Sequence, residues 1–78
     1  MTISANEFKY MTEAIAADIA VYLSDEFKIT VSEALDILYN SDTYSNLMNP
    51  ETGLYFQSSN YVYSFLRDEI TLRKSDEH

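Results

Sequence analysis

The chain contains one glycine and one proline, and both fall inside Asn49-Pro50-Glu51-Thr52-Gly53. Proline presets a bend and glycine tolerates a positive φ, so turn chemistry is concentrated in that single stretch. An all-β domain needs such punctuation roughly every 8–12 residues. The remaining sequence is therefore expected to be helical. The pattern predicts an all-α fold: a small bundle of three main helices plus a short fourth, with an irregular or extended segment at 49–58. A chain of 78 residues is one domain, read here as 1–78 with a flexible tail from about 74.

Local signals place the helices. Ser4-Ala5-Asn6-Glu7 has capping-box form, a hydroxyl followed three residues later by a carboxylate. Phe8, Met11, Ile15, Ile19, Tyr22 and Leu23 then recur at helical spacing. A second stripe, Tyr10, Ala14, Ala17 and Val21, runs roughly opposite. A helix apolar on two faces is normally buried on two sides. In so short a chain, the second side is expected to meet another copy. Thr30-Val31-Ser32-Glu33 forms another capping box, with Ile29 placed to staple against Ala34. Val31, Ala34, Leu35 and Leu38 share a face, and Ile37 falls off it. Asn40-Ser41-Asp42 breaks that helix, and Ser41 or Asp42 can cap a short one holding Tyr44 and Leu47. Leu54-Tyr55-Phe56 reads as an extended piece pressed on the core. Ser58 or Ser59 starts a last helix whose apolar face is Tyr61, Val62, Phe65 and Leu66, with Tyr63 and Ile70 at its edge. Glu69 lies within that arc and needs either the rim or a partner.

Charge excludes several jobs. The net charge is −8 and the pI about 4.2. No Lys or Arg occurs between Ile29 and Leu66, a stretch holding Glu33, Asp36, Asp42 and Glu51. Such a surface cannot neutralise phosphates, so direct nucleic-acid binding and attraction to anionic lipid are disfavoured. Thr30–Leu47 has helix-turn-helix spacing, yet its second helix offers Asp42, Asn46 and hydroxyls where a recognition helix needs cations. The acidity suits a basic protein partner. No apolar run nears the ~18 residues of a membrane span, and no signal peptide is visible at the N-terminus. A cytoplasmic location is the expectation.

Catalytic chemistry is sparsely represented. Cysteine is absent, and the one histidine is His78, which argues against zinc and against a serine–imidazole pair. Asp25-Glu26 and Asp68-Glu69 are paired in sequence, but adjacent helical residues point about 100° apart. Asp42 to Gly53 does not match a calcium loop. One glycine cannot build a phosphate-cradling loop. No catalytic, metal or cofactor residue is assigned, and no enzymatic activity is expected. The second half is instead rich in tyrosine, a residue enriched at interfaces. Tyr44, Tyr55 and Tyr63 are the candidates for binding a partner. Tyr10, Ala14, Ala17 and Val21 are the candidates for self-association as a homodimer.

Ser32-Glu33-Ala34-Leu35, Leu38-Tyr39, Glu51-Thr52-Gly53-Leu54-Tyr55, Gln57-Ser58 and Tyr61-Val62 together resemble domain-of-unknown-function family 3791, a small bacterial family. Coverage is about residues 29–70, and Tyr55-Phe56 stands where that pattern has His-Thr. The resemblance implies a partner-binding or antitoxin-like role and transfers no catalytic residue. The composite expectation is a self-associating protein-interaction module. Its alternative is an antitoxin-like or transcription-regulatory protein that touches nucleic acid only together with a partner.

Overall fold

The computed structural model describes residues 3–76. Four α-helices follow in order: α1 (Ala5–Phe27), α2 (Val31–Tyr39), α3 (Asp42–Leu47) and α4 (Ser59–Asp76). No strand occurs among the described residues. The fold is all-α, a small bundle of three main helices with α3 as the short one. The backbone of 74–76 continues α4. The rest of the tail expected from about 74, including His78, lies outside the described residues.

Helix starts follow the hydroxyl signals. Ser4 Oγ accepts the Glu7 N–H at 3.1 Å. The Thr30–Glu33 box is complete: Thr30 Oγ1 accepts the Glu33 N–H at 3.0 Å, and Glu33 Oε1 accepts the Thr30 N–H at 3.1 Å. The bond from the Thr30 N–H and a second from the Thr30 hydroxyl to Oε1, at 3.0 Å, hold the Glu33 carboxyl below the ordinary range. Ser41 caps α3 by accepting the Tyr44 N–H, and Ser58 Oγ accepts the Tyr61 N–H at the start of α4. The stop of α1 had no glycine to announce it. Lys28 takes the left-handed conformation at φ 57°, its N–H reaching the Ser24 carbonyl. An L side chain there costs roughly 1 kcal/mol more than glycine.

α1 is the central element, with α2 on one side, α4 on another and Leu54–Phe56 across it. Its buried residues are Thr12, Ile15, Ala16, Ile19, Ala20 and Leu23. Ile15, Ile19 and Leu23 come from the expected stripe, while Phe8, Met11 and Tyr22 are half-buried at its edges. Ala34 and Leu38 of α2, Leu47 of α3, and Val62 and Leu66 of α4 complete the core. Thr12 is buried without penalty, since its hydroxyl donates to the Phe8 and Lys9 carbonyls.

Two local expectations are corrected. Segment 49–58 is neither irregular throughout nor extended. It forms two 3-10 turns, Pro50–Thr52 and Leu54–Phe56, joined by Gly53 at φ 72°. The chain has to reverse between α3 and α4, and a three-residue turn spreads three consecutive apolar side chains around its axis. Leu54 and Tyr55 therefore face inward while Phe56 stays exposed. The apolar face of α4 is also rotated from the expected one. Val62 and Leu66 are buried, and Tyr63 and Ile70 half-buried, while Tyr61 and Phe65 remain exposed. Docking on α1 selected the Val62–Leu66–Ile70 line over its equally apolar neighbour.

The two left-handed positions predict opposite responses. Lys28→Gly should stabilise the fold by about 1 kcal/mol. Gly53→Ala should destabilise it by about 1–2 kcal/mol, because a Cβ there would also sit 3.1 Å from the Phe56 ring. Urea unfolding followed by circular dichroism measures both.

Candidate protein-interaction site

Alanine shapes the surface beside α1. Ala16, Ala17 and Ala20 lie along the edge of the helix that turns toward α2. Small side chains there leave a trough that the facing helices do not fill. Val31, Leu35 and Tyr39 of α2, then Tyr44 and Met48 at α3, form the opposite wall. Lys9 and Glu13 stand at one end and Val21 near the other. The groove holds about 720 Å³ and follows α1 from residue 9 to 21, about 18 Å at 1.5 Å per residue. Much of its apolar surface is open to water: Val21 is 57% exposed, Tyr39 52% and Val31 48%.

The α3 end of the far wall is held at its start by one carboxylate. Glu69 Oε2 accepts the Asp42 N–H at 2.9 Å, and Oε1 accepts the Thr43 N–H at 2.9 Å and the Thr43 hydroxyl at 2.8 Å. Arg73 pairs with the same carboxylate at 3.2 Å. Burial alone would raise the Glu69 carboxyl. The two backbone bonds, the threonine hydroxyl and Arg73 outweigh it and hold the group below the ordinary range. The residue expected to need the rim or a partner thus binds the open N-terminus of α3 and fixes Tyr44 in the groove wall.

The other acid pair separates in the same way. Glu26 accepts the Tyr63 hydroxyl and pairs with Arg67 at 3.0 Å. Burial, then the bond to Glu26, pushes the Tyr63 phenol well above its usual range. Asp25 and Asp68 remain on the surface. Glu26 and Glu69 are each engaged in joining elements. Among the described residues, no three His, Cys, Asp or Glu side chains gather as a metal site. No described helix is long and apolar enough to cross a membrane.

The candidate tyrosines are not brought together. Tyr44 lies in the groove, edge-on to Tyr39 with ring centroids 5.1 Å apart. Tyr55 packs edge-on to Phe8 and Phe56, away from it. Tyr63 sits at the α1–α4 seam against Tyr22. All three are half-buried. Tyr10, Ala14, Ala17 and Val21 are all exposed, Tyr10 at 75%. Ala17 and Val21 line the groove, whereas Tyr10 and Ala14 lie outside its lining. Sequence reasoning missed Ala16, Ala20, Leu35, Tyr39 and Met48 as groove residues. The available signal was the breadth of apolar surface on α2, where Val31 and Leu35 extend past the positions one neighbour can cover.

The Glu69 contacts generate a stability prediction. A carboxyl held below its unfolded value contributes fully above that value and loses its contribution as the pH falls through the folded one. Glu69→Gln should cost about 2 kcal/mol near pH 7. The difference from the unaltered protein should shrink near pH 3, which chemical denaturation at the two pH values measures. No family model, curated protein or solved structure matches the chain, so its function has to be read from its own side chains.

Proposed function

We propose that this protein is a non-enzymatic interaction module whose working surface is the groove between α1 and the α2–α3 arm. The observation that supports this is an open apolar trough about three helical turns long, floored by alanine and walled by larger side chains. An amphipathic helix from another polypeptide suits such a trough, with its anchors entering where the floor is low. A polar small-molecule substrate suits it poorly. Among the described residues no buried side-chain nitrogen or oxygen lacks a hydrogen bond, so no unpaired group awaits one.

Self-association through Tyr10, Ala14, Ala17 and Val21 is the other use of this side of α1. Its exposure supports that reading, and its charge opposes it. Glu7, Asp18 and Asp25 fall along one edge of the stripe with no Lys or Arg beside them. In an antiparallel twofold pair, like edges face each other and acids oppose acids.

Ala17→Arg tests the groove. Ala17 is exposed and arginine is a good helix former, so the fold should persist by circular dichroism. Helical peptides selected against the unaltered protein should lose at least tenfold in affinity for the variant, about 1.4 kcal/mol. Selected peptides that bind both forms equally would place the working surface elsewhere.

A further inference from the structure

We propose that the occupant of the groove is a cationic amphipathic helix from a different protein, with large aliphatic or aromatic anchors over the alanine floor and Lys or Arg along its flanks. This rests on the reading of the groove as a docking site and adds the chemistry of what docks. Two features select it.

The first is the relief of the groove. Ala16, Ala17 and Ala20 form a low floor beside Leu35 and Tyr39, so the cavity is complementary to a helix that carries its bulk on one stripe. Anchors spaced three and four residues apart follow the same spacing as the alanines that receive them. Flat aromatic stacking of a small ligand would leave most of an 18 Å trough empty, to within about a turn of helix.

The second is charge. The α2–α3 wall belongs to the cation-free stretch from Ile29 to Leu66, and Asp36 follows Leu35 on the exposed side of α2. On α1 the charges that line the groove are Lys9 and Glu13, one of each sign, so the acidic bias comes from the opposite wall. An incoming helix with basic flanks is drawn to this face and keeps its charges at the wet rim. Acidic flanks are repelled there. A second copy of the chain fits poorly, because its own exposed apolar line on α4, Tyr61, Phe65 and Leu72, has the acid Asp68 set within it.

Three synthetic helices of about 15 residues test the proposal. They share one backbone pattern: leucine anchors with lysine flanks, leucine anchors with glutamate flanks, and serine anchors with lysine flanks. Fluorescence anisotropy against the full chain should rank the first at least tenfold tighter than either other, with its lead over the glutamate peptide narrowing as salt rises. Glu13→Lys should reduce that lead, and Ala17→Arg should weaken the leucine–lysine peptide itself. Equal binding of lysine- and glutamate-flanked peptides, both lost in Ala17→Arg, would overturn the cationic partner while leaving the groove as the site. Equal binding of the serine peptide would show diffuse attraction to an acidic protein and overturn the proposal. Binding of none of them, or binding indifferent to Ala17→Arg, would overturn the groove reading too. A dimer by sedimentation at micromolar concentration that Ala17→Arg dissociates would assign the groove to a second copy and overturn the proposal.

Discussion

A helix of six residues does not persist in water on its own hydrogen bonds, because nucleation costs more than one or two turns return. The position of α3 (Asp42–Leu47) therefore depends on what is attached to it. Leu47 fixes it from below by complete burial, and the Glu69 carboxylate fixes it from the side by taking its first N–H groups. That contact spans 26 residues of sequence and ties the start of α3 to the middle of α4. The same arm carries Tyr44 and Met48, which line the far wall of the groove.

The groove is the consequence of a spine with uneven side chains. On its buried face α1 presents Ile15, Ile19 and Leu23, which α2 and α4 close over. One row round the helix the residues are Ala16, Ala17 and Ala20, whose short side chains leave the floor of the groove low beside Leu35 and Tyr39. A domain of this size buries only about 60% of its unfolded surface, so some apolar area stays outside. What distinguishes this protein is where that area collects. Val21, Val31 and Tyr39 border one trough, whereas Tyr61 and Phe65, edge-on with centroids 5.1 Å apart, stay exposed on α4 outside it.

Acidic residues serve two purposes here, separated by what they contact. Glu26 and Glu69 are drawn into contacts between elements, each with a hydroxyl and an arginine. Their sequence neighbours Asp25 and Asp68 stay in water, along with most other acids. The first group joins the helices and the second sets the field at the surface.

Helix starts were legible in the sequence because capping is local: Ser4, Thr30, Ser41 and Ser58 each bond within three residues of themselves. The all-α class was legible for the same reason, since the scarcity of glycine and proline is a property of the backbone. The exposed stripe Tyr10, Ala14, Ala17 and Val21 was legible as a stripe, though its division between groove and open surface was not. The 3-10 form of Leu54–Phe56, the rotation of α4, the dispersal of Tyr44, Tyr55 and Tyr63, and the partner of Glu69 were hidden. Each depends on which helix lies opposite, and the chain spacing that governs one helix carries no information about its neighbour's angle. The sequence by itself determined the helices, the caps at their N-termini and the sign of the surface charge. Only the tertiary structure decided which apolar residues meet and which are left facing water, because packing is settled between elements far apart in the chain.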